Sequence, residues 1–153
     1  MKRRPVGITS RITVTTVRED VCTFHTDTPD QLIRFWREVV EVQPEHEADK
    51  ESVVVVMMNV RLRPFAWHRV SLGTVNESHV HPRETFRPVI AAGAHGFALM
   101  HNHPSGDPAP STADRQVTRR MAEAANILQI SFIDHVIVGS SGHFSFREAG
   151  MLG

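Results

Sequence analysis

Cysteine is nearly missing from this sequence: Cys22 stands alone among 153 residues. One thiol cannot close a disulfide within the chain, and it cannot build a Cys-rich zinc ribbon or a Cys-x-x-Cys redox centre. A reducing, cytoplasmic compartment is the expectation. Long apolar runs are missing as well. The longest, Val53 to Met58, falls far short of the roughly 18 residues that suggest a membrane helix. Lys2, Arg3 and Arg4 give a basic start, but Thr9, Ser10, Arg11 and Thr13 interrupt what would have to be the apolar core of a secretion signal. Neither sign of charge is in excess: 17 basic residues balance 17 acidic ones before any of the 10 histidines titrates. Proteins that grip phosphate backbone normally carry a basic domain or stripe, so nucleic acid stays open as a partner but the charge does not support it. The small clusters Lys2, Arg3, Arg4 and Arg115, Arg119, Arg120 read as solvated surface.

What is present fits a single domain of mixed α/β type. A chain of 153 residues is long enough to bury a core and shows no internal repeat. Val6 to Val17 alternates polar and β-branched residues, with Val6, Ile8, Ile12 and Val14 on one parity, and predicts a strand in an N-terminal extension over 1–27. Thr28, Pro29 and Gln31 supply an N-cap, a proline for the first turn and a capping partner. Leu32, Phe35, Trp36 and Val39 follow at helical spacing, which predicts a helix from about Pro29 to Val42. Phe35 and Trp36 are expected in the core rather than as a stacking platform for bases. Gln43 to Lys50 reads as an exposed connection.

Ser52 to Met58 is short and valine-rich, which favours a central strand with Glu51 at its mouth, and Phe65 to Leu72 can return beside it. A helix is expected within Pro82 to Ala94. Pro88 implies that it either starts late or is kinked there. Gly96 to Met100 forms a short strand that delivers the chain to His101, and Asn102 to Pro110 is a loop carrying Pro104, Gly106, Pro108 and Pro110. From Ser111 a helix is expected, with Val117, Met121, Ala124 and Leu128 spaced for one buried face. Ile130 to Val138 and His143 to Phe146 close the sequence as strands around the turn Ser140, Ser141, Gly142.

The chemistry concentrates after the third of these strands. His101 and His103 are two residues apart, and in extended backbone that spacing points both rings to one side. Asp114, brought back at the start of the next helix, can complete a set of two nitrogens and one carboxylate. This is the donor set of a catalytic zinc site that leaves one position for water. His101, Asn102, His103, Pro104, then Ser111 and Asp114 at their spacing, resemble the metal motif of JAMM metalloproteases. Within that superfamily HNHPSGDPAPS at 101–111, HPRETFR at 81–87 and IDHVIVG at 133–139 resemble the RadC family. The resemblance covers about Thr28 to Gly153. The helix-hairpin-helix segment that often precedes the RadC domain is not recognisable in this chain.

The resemblance implies an α/β fold, a single mixed-sheet MPN (JAMM, cytidine-deaminase-like) domain over 28–153 with about three helices. It implies zinc (Zn2+) bound by His101, His103 and Asp114, an upstream glutamate acting as base, and Ser111 as an oxyanion donor. The implied substrate is a peptide or isopeptide bond in a protein or peptide partner. Glu51 is the glutamate carried over. Glu84 competes, but a carboxylate in the first turn of a helix has a ready structural role. Ser111 and Asp114 also read as a helix N-terminal cap, a role compatible with the catalytic one. His135 reads as a core histidine before a contact to a metal ligand, and His81, Arg83 and Arg87 as helix-start or surface residues. Two alternatives share the motif: a DNA-repair-associated metal protein acting on or near nucleic acid, and a non-catalytic MPN interaction module. Charge balance opposes the first, and retention of every motif residue opposes the second. A deaminase site needs paired cysteines, which this chain lacks.

Overall fold

The protein is described by a computed structural model over residues 25–73 and 80–152. The expected strand at Val6 to Val17 lies outside the described residues. The N-cap at Thr28 forms as the sequence predicts. Its side chain accepts from the Gln31 amide at 3.3 Å, and the Gln31 side chain accepts in return from the Asp27 amide at 3.2 Å. With Pro29 in the first turn, helix α1 runs Pro29–Phe35 and continues as a wider π-helical turn over Trp36–Val40. In that turn the Glu41 amide donates to the Trp36 carbonyl, and the Trp36 indole N–H donates to the Glu41 carboxylate at 3.1 Å. Phe35 and Trp36 are core residues.

The valine run becomes strand β1, Glu51–Met58, followed by β2, Pro64–Gly73. Helix α2 is Pro82–Ala91, β3 is Gly96–Asn102, α3 is Thr112–Leu128, β4 is Ser131–Gly139 and β5 is Gly142–Ser145. Helix α2 does not start late. It begins at Pro82 and carries Pro88 inside it; a proline there loses the bond its amide would have made to the Glu84 carbonyl and crowds that carbonyl, while Phe86 and Val89 on either side stay packed in the core.

The strands form one five-stranded sheet in the order β2-β1-β3-β4-β5. β1 pairs antiparallel with both β2 and β3, β3 pairs parallel with β4, and β4 pairs antiparallel with β5. The parallel pair needs a crossover, which α3 provides. Every residue from Ser52 to Met58 is buried because both faces of β1 are covered. Val54, Val56 and Met58 pack with Leu32, Phe35, Trp36 and Val40 of the first helical segment. Val53, Val55 and Met57 pack on the other face with Phe86 and Val89 of α2 and Met121 and Ala125 of α3. The result is a mixed sheet between helical layers, the α/β class that the pattern of elements predicts. No helix among the described residues is long and apolar enough to cross a membrane.

Candidate metal centre

Topology decides which residues meet. Because β1 and β3 run antiparallel with Val53 opposite His101, the start of β1 lies beside the end of β3, and Glu51 arrives next to the histidines. Its carboxylate oxygen is 3.9 Å from His101 Nε2. The side chain of Asn102 reinforces the approach. It accepts from the Ser52 amide at 2.8 Å and donates to the Lys50 carbonyl at 3.0 Å, clamping the backbone on both sides of Glu51.

Asp114 comes home through a capping box. Ser111 is the N-cap of α3, its hydroxyl oxygen accepting from the Asp114 amide at 3.1 Å while Asp114 Oδ2 accepts from the Ser111 amide at 2.8 Å. The cap reading of the Ser-x-x-Asp pattern is thus realised in this geometry. The same carboxylate places Oδ1 3.2 Å from His101 Nε2 and Oδ2 3.2 Å from His103 Nε2. The two Nε2 atoms stand 3.0 Å apart. Donors about 2.1 Å from a first-row divalent ion lie roughly 3.0 Å apart at a right angle and roughly 3.4 Å apart at the tetrahedral angle, so the observed separations fit such an ion. His101, His103 and Asp114 form a group able to hold a metal.

The chemistry of the donors supports the fit. His103 Nδ1 donates to the Asp107 carbonyl at 2.9 Å, which in the neutral ring leaves Nε2 as a bare lone pair aimed at the other donors. An N–H to a backbone carbonyl on the far side of the ring is the usual arrangement of a metal-ligating histidine. The loop that supplies Asp107 is tied down. The His103 amide donates to the Val138 carbonyl and the Gly106 amide to the His103 carbonyl, each at 2.9 Å, while Ser141 Oγ donates to the Gly106 carbonyl at 2.9 Å. Burial by itself would raise the Asp114 carboxyl, but the hydrogen bonds it accepts whenever a proton sits on Nε2 of His101 or His103 outweigh burial and hold the group well below the usual carboxylate range. The hydrogen bond to Asp114 in turn raises the His103 ring above its ordinary value, against the effect of burial. With both Nε2 positions deprotonated, the anionic carboxylate faces two nitrogen lone pairs, and this is a cation site.

His135, read from the sequence first as a core residue, is both buried and in contact with a candidate ligand. It is 1% exposed and its Nε2 lies 2.9 Å from His101 Nδ1. Burial, reinforced by the neighbouring His101, holds its pKa well below that of a free histidine. Asp134 turns to other work, accepting from Ser145 Oγ at 2.6 Å and from the Arg147 amide at 3.0 Å. Glu84 stays outside the centre: it pairs with Arg83 and Arg87 at 3.2 Å each on an exposed surface. Glu51, Val53, Val80, His101, Asp114 and Val117 line a small cleft at the centre, and Glu84 is not among its walls. From the sequence Asn102 is named only as part of the motif, without a role, and Thr118 is not named. Thr118 had a usable signal, since it stands one helical turn after Asp114 and shares its face.

Comparison with known proteins agrees with the geometry. The family model for the RadC-like JAB domain matches residues 26–151. A UPF0758 protein of Chlorobium luteolum is 40% identical over 131 residues, covering 84% of this chain and 59% of the relative. A UPF0758 protein of Thermotoga maritima is 45% identical over 104 residues, 68% of this chain and 47% of its own length. One from Rubrobacter xylanophilus is 50% identical over 104 residues, 68% of this chain and 45% of its own. The chain thus spans about half the length of the curated relatives it matches. With its sheet order, its His-His-Asp group and this match, the chain belongs to the RadC-like JAB domain family, within the JAMM/MPN superfamily.

Proposed function

We propose that the protein is a zinc-dependent hydrolase that cleaves a peptide or isopeptide bond in a protein or peptide substrate. The observation that carries this reading is the meeting of two imidazole nitrogens and both oxygens of one carboxylate at 3.0 to 3.2 Å, with a second, partly exposed carboxylate, Glu51, at their side. His101, His103 and Asp114 hold the ion. Bound zinc supplies Lewis acidity, lowering the pKa of water toward neutrality and polarising a carbonyl oxygen. Glu51 is the base: its carboxylate takes a proton from the attacking water and returns it to the departing amine. Its side chain is 15% exposed, so water reaches it. Ser111 stabilises the oxyanion. Its hydroxyl oxygen is an acceptor in the cap, which leaves the O–H proton available to donate toward negative charge developing on the substrate.

The bond type follows from the JAMM resemblance, and the balanced charge of the chain, 17 basic against 17 acidic residues, supports a protein substrate over nucleic acid. The lone Cys22 supports a cytoplasmic setting. The test is metal analysis of the purified protein joined to a hydrolysis screen of peptide, isopeptide and single-stranded DNA substrates. About one zinc per chain and amide cleavage lost in Glu51→Gln are the expected results. Absence of bound zinc, or cleavage confined to DNA, overturns the reading.

A further inference from the structure

A second layer of polar contacts lies behind His101. His135 Nε2 is 2.9 Å from His101 Nδ1, His135 Nδ1 is 2.6 Å from Thr118 Oγ1, and Thr118 Oγ1 is 2.8 Å from the main-chain carbonyl of Asp114. His135 lies flat against Phe146, ring centroids 4.7 Å apart and planes 8° from parallel. It is 1% exposed and Thr118 is 2% exposed. An apolar side chain would fill this space at less cost, because a buried polar ring destabilises the fold unless its nitrogens are hydrogen-bonded. Both ring nitrogens of His135 are used.

We propose that Thr118 and His135 are positioning residues that fix His101 in the tautomer whose bare Nε2 faces Asp114 and His103. Hydrogen-bond counting gives the direction. A carbonyl cannot donate, so the Thr118 hydroxyl proton goes to the Asp114 carbonyl, the usual partner of a helical threonine one turn back. Thr118 Oγ1 then accepts from His135 Nδ1–H. A neutral imidazole carries one N–H, so His135 Nε2 is left as an acceptor and takes its hydrogen from His101 Nδ1. His101 Nε2 has no proton and is free to bind a cation. Run the other way, with Thr118 donating to His135, the chain would put the proton of His101 on Nε2, between the donors where the metal belongs. The contacts tie β3, β4 and α3 into one circuit that starts at one candidate ligand and ends on the backbone of another.

This inference rests on His101 and Asp114 as metal ligands, but part of its test does not need metal. In the metal-free protein in alkaline buffer, long-range proton–nitrogen NMR reads which nitrogen of His101 carries the hydrogen. The wild type and Thr118→Ser, which keeps the hydroxyl, should carry it on Nδ1. Thr118→Val, which keeps the shape, should lose that preference. Zinc affinity, measured by competition with a chelating dye, should fall about 10- to 100-fold in Thr118→Val, the usual effect of losing an outer partner of a ligand, and recover in Thr118→Ser. A wild-type His101 protonated on Nε2 overturns the inference, as does unchanged zinc affinity in a folded Thr118→Val protein. The NMR result on the wild type decides even if Thr118→Val fails to fold. A wild type with the Nδ1–H tautomer that binds no zinc would sink the metal reading and leave the hydrogen-bond chain standing.

Discussion

Gly139→Ala is the perturbation that best tests how the histidine loop is held. Gly139 closes β4 where the chain from His103 to Ser111 crosses it. A Cβ built there falls inside the contact distance of the Gly106 carbonyl oxygen and 3.0 Å from both the ring nitrogen and Cδ of Pro108. All three obstacles are backbone or a ring fused to it, so no rotamer change relieves the clash and the loop itself must move. Overpacking of this kind costs about 1 to 3 kcal/mol. With a urea slope of roughly 2 kcal/mol per molar, a loss of about 2 kcal/mol lowers the unfolding midpoint by about 1 M. The loop also carries the Asp107 carbonyl that holds His103 Nδ1 at 2.9 Å. Losing that bond should weaken zinc binding about 10- to 100-fold. Gly93→Ala is the control. Gly93 has φ +62° and no atom within 4 Å of a built Cβ, so alanine there costs about 1 to 2 kcal/mol of left-handed strain and leaves the loop in place. Urea titration and zinc competition on both variants separate the effects. If Gly139→Ala binds zinc as the wild type does, the loop is not what orients His103.

Four further outcomes follow from the same geometry. Glu51→Gln should lower turnover by about 10²- to 10⁴-fold while metal analysis still finds bound zinc, whereas Glu84→Gln should leave turnover nearly unchanged in the same assay. Asn102→Leu removes both bonds that flank Glu51; denaturation should show a loss of about 1 to 3 kcal/mol, with turnover reduced more than zinc content. Ser111→Asn keeps a strong N-cap and should hold thermal stability within a few tenths of a kcal/mol, whereas Ser111→Ala should lose about 0.5 to 2 kcal/mol; both should lose turnover if the hydroxyl serves the oxyanion. Zinc competes with a proton on His103, whose folded-state pKa is raised above 6.5 chiefly by Asp114. Affinity should therefore fall as pH drops through that raised value. In the metal-free protein the sign reverses: the His103–Asp114 pair stabilises the fold fully below 6.5 and this contribution disappears as pH rises through the folded-state value.

The parts of the site that sequence could reveal are those set by local spacing. His101 and His103 share a side because a strand has period two, and Asp114 returns because a capping box and three prolines fix the loop and helix start. The helix at Pro29 was legible for the same reason. Its π-helical end was not, since the wider turn depends on Trp36 reaching Glu41 and on packing against β1. The full extent of α2 was also hidden, because the proline rule marks where a bond is lost and not whether packing of Phe86 and Val89 compensates. Cross-strand contacts set the limit. Nothing near position 135 in the sequence says that β4 lies parallel to β3 with Leu99 opposite His135, and the partnership of Asn102 with the backbone around Glu51 exists only once β1 and β3 are in register.

The three candidate ligands come from one short stretch, His101 to Asp114, while Glu51 reaches them only through the sheet. An unfolded chain can thus chelate through the same stretch at a modest loop-closure cost, since that cost grows only with the logarithm of loop length. Ligand binding stabilises a fold only by its preference for the native state, and chelation by the denatured ensemble subtracts from it. Zinc should protect this protein against unfolding by less than its native affinity alone implies. A nascent chain could already hold the ion before β1 has paired with β3, acquiring its metal before its base.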